Sequence, residues 1–237
     1  MQVRLVAESL KFLHYSHLNL RFKAESCDGT RGDLQYINTG FLLTDKIQTL
    51  RKHIREQRNN LDLHEQRKNA WQLQKRLKQD PYFKKSQHIA IYLPVQGEIG
   101  TMPVIQEALD QGKHVYLPIL MPFLHNRLWF APFTLQTPMR INKFGIPEPV
   151  YSGRYLINAQ HLDLVITPLL AFDKKCNRMG MGGGYYDRTF SFLRYRKHWK
   201  KPRMIGVGYE FQKQKQIMTE SWDVSMDKII TELDVYQ

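Results

Sequence analysis

The run Arg178-Met179-Gly180-Met181-Gly182-Gly183-Gly184-Tyr185-Tyr186-Asp187 gathers residue types that could do chemistry on a phosphate. Glycines permit left-handed backbone and leave successive N–H groups pointing inward. A helix beginning at Tyr185 would add the partial positive charge of its N-terminus, so the string can cradle an anion. Asp187, on the first turn of that helix, is placed to hold a metal ion against the phosphates. A tight strand-to-helix turn with no ligand explains a glycine cluster equally well, so other residues must decide. The string is no P-loop, because Gly-x-x-x-x-Gly-Lys-Ser/Thr does not occur. A dinucleotide fingerprint would want Gly or Ala where Tyr185 stands, although Glu210, closing a strand over 203–210, could imitate its ribose acid. A dinucleotide-dependent oxidoreductase is therefore a second reading.

Positioning such a loop requires a strand before it and a helix after it. Residues 162–173 read as a buried strand running into a loop, and helix is expected from Tyr185. From His88 the chain alternates elements: strand 88–93, helix about 102–111, strands 114–120 and 127–133, the strand after Asp163, the glycine loop with its helix, strand 203–209 and a short strand 228–231. This order predicts an α/β three-layer sandwich, a mostly parallel sheet flanked by helices on both faces, with ligands at the carboxyl ends of the strands. The glycine loop falls at such an end, and so does Pro94-Val95-Gln96-Gly97-Glu98-Ile99. The proline-rich stretch 118–149 is expected to wrap the sheet edge, largely as irregular loop. Upstream, Thr44 and Asp45 are expected to cap a helix whose apolar face carries Ile47, Leu50 and Ile54. Asp62 with Glu65 forms a capping box for a second helix bearing Leu63, Ala70, Trp71, Leu73 and Leu77. On the first helix Arg51 and Arg55 share a face and could reach a triphosphate, or form a solvated stripe. Residues 1–43 show poor periodicity and are read as an extension, poorly ordered or dispensable, before a single domain over 44–237.

Composition narrows the partners. At 237 residues the chain is long enough to bury a core, and its formal net charge of +13 calls for anionic ones. Ten Lys and Arg fall between residues 46 and 78, and six more between 194 and 203. No RNP segment or zinc finger accompanies them, so a basic RNA-binding protein is a third reading and most of these cations are read as solvated. No apolar run is long enough to span a membrane, and Arg4, Glu8 and Lys11 stand where a signal peptide would be apolar. Two cysteines, Cys27 and Cys176, exclude a disulfide framework and point to a reducing, cytoplasmic setting. His14 and His17 lack further ligands for a metal. A monomer with neither a membrane nor a specific nucleic-acid partner is expected.

Five segments in consistent order carry a resemblance: Leu50-Arg51-Lys52, 91–99 from Ile91-Tyr92-Leu93-Pro94 to Glu98-Ile99, 167–173, Asn177 through Arg188, and Trp222-Asp223-Val224 before Ile229-Ile230-Thr231. Together they resemble the 5-formyltetrahydrofolate cyclo-ligase family, also called methenyltetrahydrofolate synthetase, in its bacterial branch. The resemblance implies ATP- and Mg2+-dependent conversion of 5-formyltetrahydrofolate to 5,10-methenyltetrahydrofolate with release of ADP and phosphate. It implies ATP contacts from Arg178, Met179, Gly180, Met181, Gly182, Gly183, Gly184, Tyr185 and Tyr186, beside the candidates Arg51 and Arg55. It implies metal ligation by Asp187 and Asp223, folate contacts from Leu93, Glu98 and Tyr185, and a catalytic set of Glu98, Tyr185 and Asp187. Read alone, Asp223 could be a cap, Glu98 an acid favoured before a helix, and one of the tyrosines a packing residue. Met181 and Gly183 stand where many relatives carry Arg and Lys, and Ile47 replaces a lysine from which Lys46 is offset by about 100 degrees of helix.

Overall fold

The computed structural model describes residues 31–121, 127–142, 145–196 and 201–237. The chain divides after residue 45 into two compact units. Of the first, 31–45 are described and are helical; the rest of the extension expected over 1–43 lies outside the described residues. Helix α1 runs Arg31–Asn59. Thr44 and Asp45 therefore sit inside helical backbone instead of starting it, because no proline or glycine pair upstream of them interrupts the turn beyond the lone Gly40, which a helix interior tolerates at about 1 kcal/mol.

The second unit, Lys46–Gln237, holds the sheet. Helix α2 (Leu63–Gln79) carries the expected capping box: the Glu65 N–H donates to Asp62 at 2.7 Å and the Asp62 N–H to Glu65 at 3.3 Å. Its buried face is Ala70, Leu73, Gln74 and Leu77. Leu63 and Trp71, expected on that face, are exposed: Trp71 lies about 100 degrees off the stripe that Ala70, Leu73 and Leu77 define, whereas Leu63 shares its direction but is the first residue of the helix. Asp80 then caps α3 (Pro81–Lys85), with Pro81 at a first-turn position where no N–H is missed.

Strands β1 (His88–Ile91), β2 (His114–Met121), β3 (Arg127–Phe133), β6 (Leu164–Pro168), β9 (Arg203–Val207), β10 (Lys228–Ile230) and β11 (Val235–Tyr236) form one sheet in the order β11-β10-β9-β6-β1-β2-β3. The four central pairings are parallel and the two edge pairings antiparallel. Between β3 and β6 the chain adds a two-stranded ribbon, β4 (Met139–Ile141) with β5 (Pro147–Pro149), so the proline-rich stretch is less irregular than its composition suggests.

Both faces are covered, as the patterning demands. Ile89, Ile91, Leu164, Ile166, Ile205 and Val207 join α2, α3 and α4 (Met102–Asp110) in one core. Their alternates Ala90, Val165 and Met204 join Phe130, Phe172 and Phe190 in the other. A third cluster, Ile54 with Leu170, Ala171 and Ile217, seats α1 at the carboxyl ends of the strands, which is where the glycine loop also lies. Among the described residues no helix is long and apolar enough to cross a membrane.

Candidate active site

The glycine loop leaves a small hairpin, β7 (Ala171–Phe172) paired with β8 (Arg178–Met179). Asp173 organises the hairpin turn by accepting from the N–H groups of Lys175 at 2.9 Å and Asn177 at 3.1 Å, and from that of Ile217 at 3.0 Å. Beyond β8 the backbone turns left-handed at Gly182 (φ +99°) and Gly184 (φ +60°), conformations a side chain resists. Helix α5 then spans only Tyr185–Phe190 before a 3₁₀ turn. So short a helix adds little dipole, so any positive potential at the loop must come from its N–H groups and from nearby cations.

Those cations come from α1. A Cβ placed on Gly182 would lie 3.5 Å from both terminal nitrogens of Arg51, so that guanidinium roofs the loop. Arg51 Nε and Arg55 Nε are buried without a partner. Burial first, and then the neighbouring Arg55 charge, lowers the Arg51 pKa. Two adjacent guanidinium groups with bare buried nitrogens are costly unless an anion joins them, and a triphosphate is such an anion.

Arg178 is placed differently from a free loop cation. It donates to Asp187 at 2.7 Å, lies 5.8 Å from the Tyr186 ring, and is almost wholly buried. Asp187 Oδ1 also accepts from the Val224 N–H at 3.1 Å, which brings Asp223 alongside. Asp223 itself accepts from the Glu220 N–H at 2.8 Å, the turn-capping role its residue type allows. Among the described residues no three His, Cys, Asp or Glu side chains form a metal cage. A donor set of one or two carboxylates completed by phosphate oxygens is the arrangement Mg2+ favours, and Asp187 with Asp223 fits it.

On the opposite side of the site the chain leaves β1 through Leu93, half-buried against the core, into the Val95–Glu98 turn. Gln96 (φ +50°) and Gly97 (φ +70°) are both left-handed, the pattern of a type I′ turn. The Glu98 N–H donates to the Val95 carbonyl at 3.0 Å, and the Glu98 carboxylate accepts from the Val95 N–H at 3.1 Å. Burial raises the Glu98 carboxyl to about 7, against the opposing pull of that N–H and of Arg58. Glu98 is therefore no solvated acid ahead of a helix. Tyr186 stacks on Phe190 at 6.3 Å and its buried phenol faces Glu98, whereas Tyr185 lies under the Arg188 guanidinium at 5.4 Å. Met179 packs on the α1 cluster and Met181 is exposed.

Two residues at this site escaped the sequence reading. Arg58 is 1% exposed and donates to the Leu169 carbonyl. Its signal was available as the third arginine of a stripe with Arg51 and Arg55, at spacings of four and three. Tyr209, wholly buried after β9 with an unpartnered hydroxyl, had none beyond its place at a strand end. Glu210, the acid a dinucleotide enzyme would need free, accepts from Lys213 at 2.7 Å, Tyr236 at 2.6 Å and Thr231 at 2.8 Å, which removes the feature that favoured that reading.

Fold and site together define a three-layer α/β protein with a left-handed glycine loop beneath an arginine at the carboxyl ends of a parallel sheet. The model of the 5-formyltetrahydrofolate cyclo-ligase family matches residues 44–232, and the chain belongs to that family. It is 38% identical to the 5-formyltetrahydrofolate cyclo-ligase of Haemophilus influenzae over 189 residues, 79% of this chain and 98% of that protein. The Escherichia coli K12 protein of the same name is 33% identical over 184 residues, 78% of this chain and 99% of its own. The solved structure of 5,10-methenyltetrahydrofolate synthetase from Aquifex aeolicus superposes with a TM-score of 0.66 at 32% identity, covering 80% of this chain and 91% of that one.

Proposed function

We propose that the protein converts 5-formyltetrahydrofolate to 5,10-methenyltetrahydrofolate at the expense of ATP, with Mg2+ as cofactor, acting as a cytoplasmic monomer. The observation that carries the ATP requirement is the pair of buried, unpartnered nitrogens on Arg51 and Arg55 above a left-handed glycine loop. Family membership supports the folate part.

The chemistry is a phosphoryl transfer followed by a ring closure. An amide-like formyl oxygen is a poor leaving group, so it first attacks the terminal phosphorus of ATP, and the breaking P–O bond leaves its electron pair on ADP. The N10 lone pair then attacks the activated formyl carbon, the C–O bond breaks, phosphate departs with those electrons, and N10 loses its proton. Phosphoryl transfer asks mainly for positioning and charge neutralisation. Arg51, Arg55 and the N–H groups of 180–184 hold the triphosphate in this reading. Asp187 and Asp223 hold Mg2+, which when bound neutralises phosphate charge. Leu93 and Tyr185 bound the folate, and Glu98, titrating near neutrality, accepts the N10 proton.

The test is incubation of the purified full chain with 5-formyltetrahydrofolate and Mg-ATP, following methenyltetrahydrofolate absorbance and ADP together. Equal amounts of both products, absent when ATP or Mg2+ is omitted, are expected. No methenyl product under these conditions would overturn the reading.

A further inference from the structure

Arg58 is the largest fully buried side chain of the described residues and one of the least satisfied. Its Nη2 donates to the Leu169 carbonyl at the end of β6, while Nε and Nη1 are buried with no partner. A guanidinium stripped of water on two edges is held at a cost that a nearby anion offsets.

The Val95–Glu98 turn is built onto this arginine. A Cβ on Gly97 would come within 3.0 Å of the Arg58 Cβ and 3.2 Å of its backbone carbonyl, so only glycine allows the turn to press so closely on α1. Gln96 is held left-handed beside it, a conformation that costs a non-glycine residue about 1–2 kcal/mol and persists where the surroundings impose it. This close-packed turn places Glu98 one residue beyond the contact between Gly97 and Arg58. We propose that Arg58 is the counter-charge of Glu98: its buried guanidinium, lying behind the turn, acts across the gap between them to favour the ionised carboxylate, which the Val95 N–H orients. The catalytic part of this inference rests on the ring-closure reading; the coupling between the two side chains does not.

The groups that face Glu98 come from four elements. Arg58 belongs to α1, Tyr92 follows β1, Tyr186 lies on α5 and Tyr209 follows β9. Burial raises all three phenols, Tyr209 to about 12, so they are neutral near pH 7. Arg58 is thus the charged group that acts on the carboxylate, and it opposes the effect of burial. It does so through space, with no hydrogen bond joining the two side chains.

The experiment is a 13C NMR titration of the full chain labelled at glutamate side-chain carboxyls, with Glu98→Gln identifying the Glu98 signal. Arg58→Met should move the Glu98 midpoint upward by about one pH unit or more, and Arg58→Lys should bring it back towards wild type. Arg58→Gln keeps a donor for the Leu169 carbonyl without the charge, so it provides the same measurement where the methionine variant does not fold. In turnover assays the acidic limb of the kcat/KM profile should follow the NMR midpoint, with the KM for ATP unchanged. A midpoint that stays put in a folded Arg58→Gln protein overturns the proposal. So does a variant whose only defect is a raised KM for ATP, which would make Arg58 a phosphate ligand. Failure of the wild-type chain to form product would overturn the ring-closure reading alone, since the titration needs no turnover.

Discussion

Replacing Glu98 by Gln should stabilise the protein while removing its activity, and the gain should grow with pH. The folded state raises this carboxyl from the ordinary 4.5 to about 7 because burial disfavours the charged form. Below the lower value the group is protonated folded or unfolded and adds nothing. Between the two the folded state binds the proton more tightly, so stability falls as pH rises, and above 7 the whole penalty is present. Each tenfold change in proton affinity is about 1.4 kcal/mol, so the full penalty is about 3 kcal/mol, of which about 2.5 kcal/mol develops between pH 5 and pH 8. Glutamine is neutral throughout and its side-chain oxygen can still accept from the Val95 N–H. For a domain of this size that difference corresponds to roughly 5–10 °C in Tm. Thermal melts of the wild-type and Glu98→Gln proteins at pH 5 and pH 8 measure it directly. The substituted protein should gain little at pH 5 and several degrees at pH 8. An equal Tm difference at both pH values would mean that Glu98 titrates as an ordinary exposed acid, and the assignment of a desolvated proton acceptor would fail with it.

Asp187→Ala should abolish most Mg2+-dependent turnover and also cost about 3 kcal/mol of stability, because it strands the buried Arg178 guanidinium; Asp223→Ala should lose turnover at a stability cost of only about 1 kcal/mol. Melts and Mg2+ titrations of the two variants check this, and a fully active Asp187→Ala protein would remove the metal assignment. Gly182→Val puts a β-branched residue at φ +99° beside the Arg51 guanidinium, and the KM for ATP should rise about tenfold or more with folate use less affected. Deletion of residues 1–43, which lie before the family match at 44, should leave both Tm and turnover in place; loss of either would make the segment part of the working enzyme.

The sheet was legible because its signals are local. Strand 127–133 was placed to the residue, and the buried strand ahead of the glycine loop, the capping box at Asp62 and the helix at Met102 were all found from patterns within a dozen residues. What failed depended on context. Thr44 and Asp45 have good cap chemistry, but a cap exists only where the helix before it stops, and α1 does not stop there. Trp71 is apolar without being on the apolar stripe of α2.

The same distinction runs through the site. A glycine string shows that left-handed backbone is available without showing where it is used: Gly182 and Gly184 take it, whereas Gly183 does not, and a Cβ there would instead meet the Tyr185 ring at 2.9 Å. Arg178 was the obvious phosphate cation of the loop, yet its sequence distance of nine from Asp187 hides an ion pair that only the left-handed turns bring about. The guanidinium that does stand over the loop is that of Arg51, from a helix more than a hundred residues earlier. The proton affinity of Glu98 is the extreme case. It arises from burial among Arg58, Tyr92, Tyr186 and Tyr209, four side chains scattered over 152 positions of sequence, and no reading of its neighbours along the chain could separate it from an ordinary surface acid. Short-range chemistry therefore located the loops that make this site, and the parallel sheet, by bringing its strand ends together, decides what each charged group in them can do.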